Sequence, residues 1–329
     1  MPKAKPFIKW VGGKTQLIEQ LEKQLPANFG NWQNATYIEP FVGGGAMLFY
    51  MLQQYPNISH AVINDINPDL AICYRMVRDH PDMLIESLRE IQNTYLALTT
   101  EENRKEFFLS IRDRYNEKIL DPIENTTNFF FLNRTCFNGL YRVNKKGLFN
   151  VPFGRYANPQ ICDETTIKAD SRLLQRVEIL TGDFEATFDH ATNNTLFYFD
   201  PPYRPLSNTS SFNDYTKESF NDDAQIRLKR FCDRIHHAGH KFMLSNSDCQ
   251  GKNEEDNFFD VLYAEYTIER VWASRSINSN ASKRGKLTEI LVRNYNNTKT
   301  AAYIENYPFE PCYVAEETEP FRNTLQYDV

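Results

Sequence analysis

The chain has 329 residues, with a hydrophobic fraction of 41% and a charged fraction of 24%, which excludes global disorder and allows a sizeable core in one large or two modest domains. Its 37 basic and 43 acidic residues give a net charge of −6, which taken alone speaks against a nucleic-acid partner. The distribution weakens that exclusion. Residues 296–329 hold six acidic and two basic side chains, so −4 of the total lies in this tail and only −2 in the preceding 295 residues. Within that body, residues 134–156 and 270–286 each carry five basic side chains and no acidic one. No apolar run reaches the roughly 18–20 residues of a membrane helix. Six scattered cysteines without a Cys-x-x-Cys pair predict neither a disulfide framework nor a zinc site. The expectation is a cytoplasmic protein with no metal and no membrane contact.

In chain order, Lys9-Trp10-Val11-Gly12-Gly13-Lys14 comes first. Gly13-Lys14-Thr15 imitates the end of a phosphate-binding loop, but the leading glycine of that motif would fall at Ile8, and the motif is rejected. Leu17, Ile18, Leu21 and Leu25 recur at helical spacing. The run 36–39 reads as a strand and leads into Glu39-Pro40-Phe41-Val42-Gly43-Gly44-Gly45-Ala46, with a helical pattern in Ala46, Leu48, Phe49 and Leu52. Residues 61–64 read as the next strand and end at Asn64-Asp65. Residues from about 70 to 135 are helical in pattern. Asn138-Gly139 and Lys146-Gly147 then mark turns, so residues 137–156 predict a β-hairpin or ordered loop projecting from a helical insert. Runs at 177–181, 195–200, 241–245 and 287–294 predict further strands, with a helix through Ile226, Leu228, Phe231 and Ile235. Strand–helix alternation on both sides of the insert points to an α/β fold with a mainly parallel, Rossmann-like sheet.

Two motifs carry chemistry. The glycines at 43–45 let the backbone turn sharply and approach a ligand, although Leu48 breaks the G-x-G-x-x-G dinucleotide fingerprint. Asp65, about twenty residues on at a strand end, is placed to accept hydrogen bonds from a ribose diol. The more specific motif is Asp200-Pro201-Pro202-Tyr203 at the end of an apolar strand, a tetrapeptide expected by chance in about one such chain in a thousand. The prolines cannot continue a central strand, so Asp200 falls at the sheet's carboxyl edge, where α/β folds bind ligands. The exocyclic amine of adenine is a poor nucleophile with two N–H donors. The Asp200 carboxylate and the Pro201 carbonyl offer two acceptors that stabilise the charge developing on that nitrogen. Tyr203 offers a ring for stacking a base that has left the duplex.

With these residues in view, the chain resembles the Dam-type adenine-N6 DNA methyltransferases of the alpha group. The likeness spans roughly residues 6–295 and rests on the motifs above together with Phe137-Asn138-Gly139-Leu140-Tyr141-Arg142, Val151-Pro152-Phe153-Gly154-Arg155-Tyr156 and Gly182-Asp183-Phe184. It implies a catalytic domain from residues 1–70 and 170–295, a target-recognition domain at 71–169, and an acidic extension at 296–329 with no assigned role. It implies S-adenosylmethionine as donor, with Trp10 and Lys14 helping to hold it. The turn Phe41 to Gly45, with Gly43, packs against it, Asp65 binds its ribose, and Asp183 and Phe184 lie by its adenine. Asp200 borders both cofactor and target, and Asp200, Pro201, Pro202 and Tyr203 form the catalytic set, with no metal.

The resemblance also implies double-stranded DNA as partner and GATC as its site. Arg142 would read a guanine, Asn138 would share the reading hairpin, Leu140 would touch bases and Phe137 would stack or wedge beside the flipped position. Arg134, Lys145, Lys146 and Arg155 would hold phosphates. Arg275, Asn278, Ser282, Lys283, Arg284 and Gly285 would form a second loop over the DNA. The alternative is transfer to cytosine N4 or to adenine in RNA; Asp rather than Ser before the prolines leans to adenine. The resemblance is compatible both with an enzyme working alone and with one paired with a restriction endonuclease. The sequence assigns Arg204 no role.

Overall fold

The structure is a computed structural model and describes residues 3–205, 220–273 and 287–296. Its centre is a seven-stranded sheet of β1 (Ala35–Glu39), β2 (Ile58–Ile63), β3 (Val177–Ile179), β4 (Thr195–Phe199), β5 (Lys241–Ser247), β6 (Thr267–Ala273) and β7 (Leu287–Arg293) in the order 3-2-1-4-5-7-6. The first five are parallel, and β7 runs antiparallel to both β5 and β6. Order reverses between β1 and β4, and such a switch point opens a crevice at the strands' carboxyl ends.

Alternation along the strands builds two cores. Tyr37, Ala61, Ile63, Leu196, Tyr198 and Met243 belong to one, and Ile38, Val62, Phe197, Phe199, Phe242 and Leu244 to the other. The second is covered by α8 (Asp222–His237) through Leu228, Phe231 and Ile235. The first is covered by α1 (Ile18–Lys23) and α2 (Ala46–Gln54) and continues into the helical insert. That insert begins with α3 (Pro68–Asp79), capped by Asn67, whose side chain accepts from the Asp69 and Leu70 amides. It continues through α4 (Pro81–Ala97), α5 (Glu101–Asn116) and α6 (Pro122–Thr135) to α7 (Glu164–Leu174). Phe108, Phe129, Phe130, Phe131 and Phe149 are buried in the same cluster as the strand residues, so the insert packs onto the sheet face through a shared aromatic core.

Two readings are refined. Strand β6 is not anticipated, because Glu269 and Arg270 interrupt its apolar run. The sheet's edge accommodates both charges: Glu269 pairs with Arg293 at 2.7 Å, and Arg270 with Asp248 at 3.1 Å and Asp260 at 2.8 Å. The segment 137–156 is an ordered loop held by two isolated antiparallel bridges, Cys136 to Phe153 and Val143 to Phe149, with a single helical turn at Phe137–Gly139. Among the described residues no helix is long and apolar enough to cross a membrane, no acidic, His and Cys group is placed to hold a metal, and the cysteines are free thiols. The basic loop at 275–285 and the tail from residue 297 lie outside the described residues.

Candidate active site

Parallel pairing of β1 with β4, Ile38 opposite Phe197, brings the glycine turn and Asp200 to the same edge of the sheet. Asn64, at the end of β2, braces this edge. Its buried side-chain amide donates to the Pro40 carbonyl at 3.1 Å and the Gly182 carbonyl at 3.0 Å, tying together the turns that follow β1 and β3. Gly43 (φ +48°) and Gly45 (φ +72°) lie in the left-handed region. A Cβ on Gly43 would lie 2.7 Å from Trp10 Cδ1, so the indole rests directly on the turn. Trp10 also stacks on Tyr141, with centroids 5.3 Å apart.

Asp65 accepts from the Gly43 amide at 3.1 Å and from the Asn67 amide at 2.9 Å. Burial raises its pKa above the ordinary carboxylate value, against the pull of these amides. Phe41 and Phe184 pack at 5.2 Å and share contact with Phe220, forming an aromatic wall beside the turn. Asp183, next to it, binds the Arg227 guanidinium and accepts from the Glu185 amide at 2.9 Å, so its carboxylate is partly engaged by the protein itself.

Asp200 meets Lys14, with Nζ 3.1 Å from Oδ1. Burial pushes the Asp200 carboxyl up to about 6, while Lys14 pulls the other way. The same ammonium donates to the Tyr203 phenol oxygen at 2.5 Å and lies 4.1 Å from the centre of that ring. Tyr203 in turn donates to Glu289 on β7 at 2.7 Å. Glu289 gave no signal in the sequence. Arg204, without a role in the sequence, fixes the chain beyond the tetrapeptide. It binds Asp222 at 2.8 Å and Asp256 at 2.6 Å and lies over the Phe258 ring at 4.5 Å.

The residues expected to face DNA lie on the 137–156 loop and the end of α6. Phe137 is 53% exposed. Asn138 takes φ +56° and Gly139 φ +65°, and a Cβ on Gly139 would strike the Lys9 side chain at 2.4 Å. Asn133 locks this turn to the motif before Trp10. It accepts from the Lys9 amide at 2.8 Å and donates to the Lys9 carbonyl at 2.9 Å and the Gly139 carbonyl at 3.0 Å. Leu140 is half-buried. Arg142 is exposed and held by Asn150, with Nε 2.8 Å from Oδ1. Lys145 and Lys146 are exposed at the loop tip, and Arg155 (φ +59°) is exposed 3.5 Å from Glu101. Arg134 is placed differently from the surface phosphate contact expected of it. Its guanidinium turns inward to the Phe7 carbonyl at 2.7 Å, and burial lowers its pKa.

The chain is similar to known DNA methyltransferases. The D12 class N6 adenine-specific DNA methyltransferase family matches residues 10–277. The type II methyltransferase M.MjaIII of Methanocaldococcus jannaschii is 48% identical over 294 residues, covering 88% of this chain and 99% of that protein. The type II methyltransferase M1.LlaDCHI of Lactococcus lactis subsp. cremoris is 39% identical over 298 residues, covering 89% of this chain and 96% of that protein. The DNA adenine methylase of Escherichia coli K12 is 30% identical over 292 residues, covering 89% and 96% respectively. The glycine turn, the acid at the second strand's end and the Asp-Pro-Pro-Tyr edge fall within the matched span, and the chain belongs to the D12 class of N6 adenine-specific DNA methyltransferases.

Proposed function

We propose that the chain transfers a methyl group from S-adenosylmethionine to adenine N6 within GATC in duplex DNA, and that Asp200 is the group that receives the target amine. The observation that carries this reading is the largely buried Asp200 carboxylate, its side chain 20% exposed, which shares the Lys14 ammonium with Tyr203 at the sheet's switch point and on the same edge as the glycine turn. The residues fit S-adenosylmethionine: the turn at Gly43 has no room for a side chain under Trp10, and Asp65 presents a carboxylate beside it. Trp10, the Phe41–Gly45 turn, Asp65 and Phe184 would hold the cofactor, with Asp183 at its rim and Lys14 at the catalytic side. When bound there, S-adenosylmethionine supplies an electrophilic methyl group on a sulfonium. Asp200 and the Pro201 carbonyl accept the two amine N–H groups, which frees the nitrogen lone pair from the ring to act as the nucleophile and stabilises the positive charge that develops on nitrogen. Pro202 turns the chain out of the sheet so that Tyr203 can lie against the flipped base.

In this reading residues 71–169 select the target and residues 1–70 with 170–295 carry the chemistry. Phe137 wedges at the emptied position, Asn138 and Leu140 meet base edges, and Lys145, Lys146 and Arg155 meet phosphates. The type II names of two relatives support a cognate restriction endonuclease that cuts the same site. Mapping the methylated positions on plasmid DNA tests the assignment: modification confined to GATC is expected, and a different consensus overturns it. Arg142→Ala is expected to lose about 1–3 kcal/mol of discrimination at one guanine, the value of a bidentate guanidinium pairing. Competition binding against single-base variants checks this, and equal weakening on every sequence would make Arg142 a phosphate contact.

A further inference from the structure

Lys14 occupies the contacts that a target base requires. Its ammonium lies 3.1 Å from Asp200, where an amine N–H must donate, and 4.1 Å from the centre of the Tyr203 ring, where a base must stack. Entry of adenine therefore brings a second donor to a carboxylate whose Oδ1 the ammonium already holds, in a site where the ammonium's side chain is only 7% exposed and must not be stranded. One group offers it a second acceptor. Glu289 Oε2 is 3.3 Å from the same nitrogen and also receives the Tyr203 phenol at 2.7 Å. It stands on β7, between β5 and β6, and its side chain is 15% exposed.

We propose that Glu289 is a positioning residue for methyl transfer: it retains the Lys14 ammonium and anchors the Tyr203 ring, so that Asp200 is released to the target amine. This rests on the reading of Asp200 and Tyr203 given above. Without the Glu289 charge, Lys14 pairs with Asp200 alone and competes with the amine for it. Asp200 is acted on by Lys14 from the N-terminal motif, Tyr203 from its own tetrapeptide and Glu289 from β7, while its own charge raises the pKa of the buried Glu39 and Tyr37 on β1 and Tyr198 on β4. Of these, Glu289 contributes a negative charge that opposes ionisation of Asp200.

The test uses the full chain and duplexes carrying either adenine or purine, which lacks the exocyclic amine, at the mapped target position. Binding without cofactor reads the preference for the amine. Glu289→Gln, with an unchanged melting temperature, is expected to lower that preference at least about fivefold and kcat at least about tenfold, while the acid limb of kcat/KM for DNA moves to lower pH. Glu289→Asp, which keeps the charge, is expected to keep the limb at the wild-type position and most of the preference. Wild-type preference and limb in Glu289→Gln overturn the proposal. So does a fall in kcat with both unmoved, or a limb in Glu289→Asp that coincides with that of Glu289→Gln. If the wild-type chain forms no N6-methyladenine, the functional reading fails; if it does and Glu289→Gln behaves alike, only the role of Glu289 fails.

Discussion

Asp200→Asn is expected to lower kcat by about a hundred- to a thousandfold while duplex affinity stays within a few-fold, the loss typical of removing one preorganised charge-stabilising contact. The amide keeps the shape of the side chain and one acceptor oxygen, so the lost quantity is negative charge facing a nitrogen that becomes positive. Duplex affinity is spared because the exposed basic side chains of the 137–156 loop lie on other elements. The same carboxyl sets a pH limit. Burial holds it near 6, so it is charged above that value and becomes protonated as pH falls through it. Wild-type kcat/KM for DNA is therefore expected to fall about tenfold per unit below about pH 6, and the residual activity of Asp200→Asn to lack that limb. Stopped-time methylation assays from pH 5 to pH 8 check both, and turnover of the variant within about threefold of wild type removes Asp200 from the catalytic role.

The second large effect is expected at Gly45. At φ +72° an alanine is strained, and its Cβ would lie 2.4 Å from the Tyr74 hydroxyl and 3.3 Å from Phe49. Tyr74 is fully buried and its hydroxyl donates to the Gly43 carbonyl at 3.0 Å, so it cannot yield without disturbing the turn proposed to face the cofactor. Left-handed strain and overpacking together are expected to remove about 2–4 kcal/mol of stability, and a shifted turn to weaken S-adenosylmethionine binding by about tenfold or more. Gly147→Ala is the control. Gly147 has φ +74° but nothing within 4 Å of a Cβ, so only the strain remains and cofactor affinity is unchanged. Calorimetric titration and thermal melts of both variants separate the two contributions, and equal losses in the two would contradict a tight contact at Gly45.

What could be read in advance follows from how local each signal is. Strands β1 to β5 and β7 are short apolar runs bounded by turns, and burial on both faces of a parallel sheet makes such runs visible. Asp200 and Asp65 were legible because each lies within two residues of its strand's end, which assigns it to the sheet's carboxyl edge. Strand β6 was not, because an edge strand can carry Glu269 and Arg270 when neighbouring elements supply their counter-charges. Glu289 reads as an ordinary polar position in a strand, and its partner Lys14 is 275 residues away in the chain. Arg134 shows the converse. Charge counting places it in a basic stretch, but only the packing of residues 4–9 against α6 turns its guanidinium toward Phe7.

The most direct test of the account is the identity of the methylated atom. The purified chain is incubated with duplex DNA and isotopically labelled S-adenosylmethionine, and the DNA is digested to nucleosides for mass spectrometry. Label is expected in N6-methyl-2′-deoxyadenosine, and none when Asp200 is replaced by alanine. Label found instead in N4-methylcytosine, or transfer to adenine that persists in Asp200→Ala, would contradict the account.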